Sequence, residues 1–327
     1  MFGVDKLDFL REYFPFKEGI PCKNTLARVS AALDPEQFRT CFIAWAASLQ
    51  TVPGEVIAID GKTLCNSADT SGSTAAIHMV SAFGTNSRRV LAQQKVAEKS
   101  NEITAIPARL DLLDVTGHTL TIDAMGGQRS IAKKSQDKGA DYVLALKGNP
   151  GLLNDDVRLF LESEAAKPAS TAISDTYSES DAGHGRIESR KCIVSNQLDW
   201  LEQKSAWDGL SSIAMIEETR EFKGRISTDR RFFISRLPAN AKKIALAVRT
   251  HWAIENTRHW TLDVVFNEDQ STVHKDHAPQ NMAIVRHVVL NIVNTAKKHF
   301  KGIGIIALRK KAGWGNANLR LILKHSF

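Results

Sequence analysis

Residues 249–269, RTHWAIENTRHWTLDVVFNED, concentrate two His-Trp pairs, two arginines and four carboxylates in one short stretch. At helical period His251, Glu255, His259 and Leu262 fall on one side, because residues three and four apart are neighbours on a helix. Trp252, Asn256 and Trp260 form the adjacent stripe. On this pattern Glu255, Asp263, Glu268 and Asp269 are equal candidates for a carboxylate that does chemistry. Two earlier acids stand out by position. Val56 to Ile59 reads as a short buried strand ending at Asp60, and residues 118–122 read as another ending at Asp123. If those strands are neighbours, both carboxylates project from one sheet edge.

Two close carboxylates repel each other and are best stabilised by a divalent cation. Oxygen-only ligands favour Mg²⁺ or Mn²⁺ over zinc. Two such ions about 4 Å apart suit phosphoryl transfer, one activating the attacking oxygen and the other stabilising the leaving oxygen. The competing explanation is that each Asp is only a strand-end turn residue.

Other motifs do not compete. Gly54 to Gly61-Lys62-Thr63 resembles a phosphate-binding loop, but six residues separate the glycines where the motif needs four, and most of the six form the strand. No GxSxG, GxGxxG or HExxH is present. His251 and His259, eight apart, have no cysteine or third histidine placed to complete a zinc site.

The charge is lopsided. Of 43 basic and 36 acidic residues, net +7, nine of the bases and none of the acids lie from His277 onward. The rest of the chain is close to balance, so the positive field comes from one end. That suggests a polyanion partner, most often nucleic acid; the alternative is a solvated helical surface. The hydrophobic content is 43% and no apolar run approaches the length of a membrane span. The N-terminus lacks the apolar core of a signal peptide. Four cysteines without CxxC spacing argue for a reducing, hence cytoplasmic, setting.

These residues need a scaffold. Residues 1–52 read as helices, with Asp34 capping a helix that begins at Pro35. Strands are expected at 56–59, 76–83, 88–96, 118–122 and 142–147, with a loop at 66–74 and helices over 101–113 and 131–138. A mixed sheet with helices on its faces follows. Residues 150–239 change character: a helix at 151–165, a Ser/Thr-rich loop at 169–180, then alternating strands, a mainly β insertion. Helices are predicted at 240–260, 278–299 and 304–323. Four segments result: 1–52, helical; 53–149, the first part of a catalytic core; 150–239, the β insertion; and 240–327, the helical completion with basic outer faces.

Together VIAIDGKTL, LTIDAMGGQ, DYVLALKGNP, HGRIESR, HWAIENTRHWTLDVVFNED and NMAIVRHVVLNIV, in this order between about Gly19 and Leu323, resemble the H-repeat-associated insertion-sequence transposases, a DDE-class family. The resemblance implies an α/β, ribonuclease-H-like mixed sheet flanked by helices, with a β insertion before the last acid. It implies Mg²⁺- or Mn²⁺-dependent cutting and joining of double-stranded DNA at transposon ends, on two ions, by a homo-oligomer acting on the nucleoid. Matched residue by residue, the catalytic and metal-binding acids are Asp60, Asp123 and Glu255. Phosphate contacts are expected from Lys62, Arg186, Arg190, Arg249 and Arg258, and from Lys297, Lys298, Lys310 and Lys311 in the basic end. In a wider transposase group an Arg stands at the place of His251 and a Lys at that of Leu262. Family members carry a further N-terminal helical region, so the chain is expected to start partway through it. The alternative is a catalytically silent, truncated remnant that only binds DNA.

Overall fold

The computed structural model describes residues 2–49, 52–64, 67, 76–96, 110–123, 128–147, 152–183, 185–254 and 258–324. Glu255, the loop expected at 66–74 apart from Ser67, and residues 101–109 of the helix expected over 101–113 lie outside the described residues.

Four helices open the chain: α1 (Phe2–Asp5), α2 (Leu7–Arg11), α3 (Lys23–Ala32) and α4 (Pro35–Ser48). Asp34 caps α4, its Oδ1 accepting from the Glu36 and Gln37 amides at 2.8 and 3.1 Å. Such a cap contributes about 1 kcal/mol. Next come β1 (Val56–Leu64), β2 (Ile77–Gly84), β3 (Arg89–Lys95), β4 (Thr119–Ile122), α5 (Arg129–Asp137), β5 (Asp141–Leu146) and α6 (Leu152–Ala165). Then follow β6 (Asp175–Gly183), β7 (Arg186–Ser195), β8 (Ser212–Phe222), β9 (Arg225–Ser235), α7 (Ala241–Ile254), α8 (Ala278–Lys297), α9 (Ile305–Trp314) and α10 (Asn316–Lys324). A π-helical turn spans Thr261–Val265.

All nine strands form one sheet in the order β3-β2-β1-β4-β5-β9-β8-β7-β6. β1, β4 and β5 run parallel, and their neighbours pair antiparallel. This is the ribonuclease-H-like mixed sheet expected, and the later strands extend it instead of making a second one. Lys223 and Gly224, both at positive φ (50° and 73°), form the two-residue turn that fixes the β8–β9 register.

Alternation sends side chains to two faces. Ile57, Ile59, Leu120, Ile122 and Leu144 pack with Ile131 of α5 and Leu153 and Val157 of α6. The opposite face is covered in two patches. Val143 and Phe233 meet Ala241, Ile244 and Val248 of α7. Ala58 and Phe83 meet Phe42 of α4, Ile254 of α7, Leu262 and Ile284 of α8. The basic end is an integral layer: Val293 and Ala296 of α8 pack on Leu308 of α9 and Ile322 of α10. Lys6 donates to Asn316 Oδ1 at 2.7 Å and joins the two ends of the chain.

Several boundaries differ from the sequence expectation. β1 does not end at Asp60 but runs on to Leu64, because β2 continues to pair with it through Ile77. β6 begins at Asp175, inside the expected loop, because β7 supplies its backbone partners. The helix expected over 304–323 is two helices, broken where Gly315 is extended at φ −139° and ψ 130°.

Candidate active site

β1 and β4 pair in parallel up to Ile59↔Ile122, so Asp60 and Asp123 stand one step beyond the last pair. Ile59 and Ile122 face the α5/α6 side, which sends both acids to the face that α7 covers. Neighbouring strands lie about 4.8 Å apart, and this sets the scale of the gap. Both acids are half-buried, and both line a cleft of about 600 Å³ with Thr121, Lys147, His251 and Trp252.

A histidine attends each strand. Asp60 Oδ1 accepts from the Gly61 amide at 2.8 Å, while Oδ2 lies 3.2 Å from His259 Nε2. His251 Nδ1 contacts Thr121 Oγ1 at 3.1 Å, two residues before Asp123. Burial, helped by the charges of Arg258, Lys62 and His251, pushes His259 down to about 3. Burial also lowers His251, with Asp123 opposing it. Both imidazoles are therefore neutral at pH 7 and add no positive charge to the carboxylate pair.

Lys62, two residues past Asp60 on β1, is clasped by Asp263, Glu268 (3.1 Å) and Asp269 (3.4 Å). Burial lowers its affinity for a proton, but Asp263 and Glu268 outweigh that and hold it above the ordinary lysine value. Arg286 approaches Glu268 from the other side at 3.8 Å. The three acids left over from the 249–269 stretch thus hold the π turn and the chain after it against β1. The π turn closes through the Phe266 amide donating to the Thr261 carbonyl, a widened turn of the kind often found at functional sites.

Arg258 is 2% exposed and donates to Ser81 Oγ at 2.6 Å, opposite Asp60 in the β1–β2 register. Burial lowers its proton affinity, while Asp60 and Glu268 sustain its charge. Lys62 and Arg258, from which phosphate contacts were expected, are thus engaged inside the protein.

The other expected phosphate contacts lie elsewhere. Arg186, Arg190 and Arg249 line a second cleft, of about 640 Å³, between the β6–β9 strands and α7. Arg190 meets Glu188 at 2.6 Å and Glu218 at 3.0 Å, Arg186 meets Glu188 at 3.0 Å, and Arg249 pairs with Glu179. The two clefts share Val248, Arg231 and Trp252, and the Arg231 guanidinium lies 4.0 Å above the Trp252 indole. Lys298 and Lys310 are exposed at the far end of the chain, with Lys297 and Lys311 half-buried beside them.

Sequence reasoning missed Lys147 in the carboxylate cleft. The signal was available: it follows the apolar strand β5 as Asp123 follows β4. It also gave His259 no part beside Asp60, since the pair is joined only by the fold.

For a divalent cation the donor chemistry fits: two half-buried carboxylates on adjacent parallel strands, with neutral imidazoles behind them. Among the described residues no group of three His, Cys, Asp or Glu is assembled to hold a metal, and Glu255 lies outside those residues.

Sheet order, two-sided helical cover and paired aspartates define a ribonuclease-H-like α/β protein. The chain belongs to the Transposase DDE domain family, which matches residues 52–292; a second family, DDE_Tnp_1-associated, matches residues 1–46. It is 40% identical over 331 aligned residues to the protein YbfL of Escherichia coli K12, covering 99% of this chain and 86% of that one. The H repeat-associated putative transposase YhhI of the same strain matches at the same identity and coverage. The piggyBac transposase in a synaptic complex with hairpin DNA aligns over 93% of this chain and 59% of its own, with a TM-score of 0.43 and 11% identity. Among the described residues no helix is long and apolar enough to cross a membrane.

Proposed function

We propose that the protein cuts and joins DNA at the ends of an insertion sequence, using Asp60, Asp123 and Glu255 as its catalytic acids. The observation that carries this reading is the placement of Asp60 and Asp123 one step beyond Ile59↔Ile122, on one face of a parallel strand pair. Asp60 and Asp123 would hold Mg²⁺ or Mn²⁺, with Glu255 as the third acid. When bound, two such cations activate the attacking oxygen and neutralise charge on the leaving one.

In the first step water attacks the phosphorus at the element end, the bond to the 3′-oxygen breaks, and a 3′-hydroxyl leaves with the proton. In the second step that hydroxyl attacks a phosphodiester of the target, forming one bond and releasing the target's own 3′-hydroxyl. Arg186, Arg190 and Arg249 hold backbone phosphates along the cleft that adjoins the carboxylates, and Lys297, Lys298, Lys310 and Lys311 hold more distant duplex. Two active sites act on two element ends, so the working form is a homo-oligomer on DNA in the bacterial nucleoid.

The test is strand cleavage of a labelled duplex spanning one end of the element, with Mg²⁺ or Mn²⁺. Wild-type protein nicks at the element boundary and D123A does not, while both bind the duplex. Cleavage retained by D123A refutes the assignment of the acids. Binding without any cleavage by wild-type protein points instead to a silent remnant.

A further inference from the structure

The geometry points to Lys147 as a ligand for the phosphate that the carboxylate cleft works on, a contact made at the reacting phosphodiester and not along the flanking duplex. This rests on the reading of the cleft as a phosphoryl-transfer site.

Three parallel strands in sequence across the sheet, β1, β4 and β5, end in the same region. Asp60 lies on the first and Asp123 directly follows the second. On β5, Val143 packs against α7, on the face shared with the two acids, so Ala145 and Lys147 alternate to that same face. The β4–β5 register runs to Ile122↔Leu144, which puts Ala145 level with Asp123 and Lys147 two residues further out. At about 3.3 Å per residue, its Cα stands roughly 7 Å beyond the acid along the strand. A lysine side chain spans a gap of that size, and Lys147 lines the cleft with Asp60 and Asp123. In open α/β sheets ligands bind outside the carboxyl ends of the parallel strands.

Neighbouring cations are already engaged. Lys62 is clasped by carboxylates, Arg230 is paired with Glu217 at 2.7 Å and Glu162 at 3.4 Å, and Arg231 with Asp229 at 2.9 Å. Among the described residues Lys147 has no carboxylate partner, and it is exposed. A lysine left without a carboxylate partner in the cleft that holds the two acids is a point charge available to an anion. Beside two acids that carry negative charge of their own, it would offset repulsion of the incoming phosphodiester.

The experiment compares wild type, K147M and K147R. Equilibrium binding to a labelled element-end duplex in Ca²⁺ is measured across a series of salt concentrations, and single-turnover cleavage at saturating duplex is measured in Mn²⁺. The expected result for K147M is a salt-dependence slope lower by about 0.9, the loss of one phosphate contact. Its cleavage rate falls at least tenfold, its thermal unfolding midpoint is unchanged, and K147R restores both slope and most of the rate. An unchanged slope overturns the proposal, whatever the cleavage result. A lowered slope with a wild-type rate at saturation overturns the location, because the contact then lies away from the reacting phosphate. Wild-type protein that binds but does not cut counts against the proposed reaction, and the slope still reads the phosphate contact. Wild-type protein that does not bind the duplex overturns both.

Discussion

Lys62 Nζ lies 3.1 Å from Glu268 Oε2, a pair 206 residues apart in sequence, with side chains only 10% and 2% exposed. This contact ties the strand that carries Asp60 to the chain just past the π turn. It makes Lys62 part of the frame of the site.

Replacing Lys62 should therefore cost stability first. K62M removes the cation that Asp263, Glu268 and Asp269 share and leaves Glu268 with the more distant Arg286; removing one partner of a buried pair costs up to about 3 kcal/mol. Denaturant titration of the purified protein measures it. The pair's contribution is present from neutral pH up to the ordinary lysine value and is lost as pH rises through Lys62's elevated one. A K62M midpoint equal to wild type at pH 7 would show that the clasp contributes nothing.

The acids should separate binding from catalysis. D60N and D123N keep side-chain volume and hydrogen-bonding capacity while removing the charge that attracts a cation. Each should reduce cleavage of an element-end duplex to background, with DNA affinity within a few-fold of wild type. Gel-shift and nicking assays on the same preparations check this.

Acid should unfold the protein earlier than its carboxylates alone require. Burial holds His259 down to about 3 and His287 well below its ordinary value. The unfolded chain takes up both protons near pH 6.5, the folded chain does not, and stability falls as pH drops. Each histidine contributes a slope of up to about 1.4 kcal/mol per pH unit. Urea titrations at pH 7, 6 and 5, above the main carboxylate range, should show the decline, and H287Q should lessen it. A free energy that is flat from pH 7 to 5 contradicts the prediction.

Arginines of the second cleft and lysines of the chain end should be distinguishable by salt. Each phosphate contact removed lowers the slope of log affinity against log salt by about 0.9. R186A/R249A and K310M/K311M are each expected to lower it by roughly 1.8. A pair whose slope matches wild type is a surface pair that DNA does not touch.

Legibility in the sequence followed the range of the interactions. Asp60 and Asp123 could be found because a short apolar run ending in an acid is a local pattern, and the sheet then set them side by side. The same local reading took β6 for a loop: its Ser- and Thr-rich strand faces solvent on much of its length and is held by pairing with β7. Arg258's burial was hidden because nothing near it in sequence reveals Ser81, 177 residues away. The Lys62 clasp and the His259–Asp60 contact were hidden for the same reason. Gly315 was a local signal for the break between α9 and α10, and the single helix expected over 304–323 passed over it.

The β5–β9 pairing, from Val143↔Ser235 to Leu146↔Phe232, bears on how this protein can be trimmed or recombined. Strands β6 to β9 look like a cassette in the linear chain, yet cutting them out would strip the partner from β5. The bared backbone would be an open edge beside the strands that position Asp60 and Asp123, a template for intermolecular strand addition. A minimal version should therefore keep β9 and shorten the hairpins from their outer ends. Chimaeras should exchange β6–β9 together with β5.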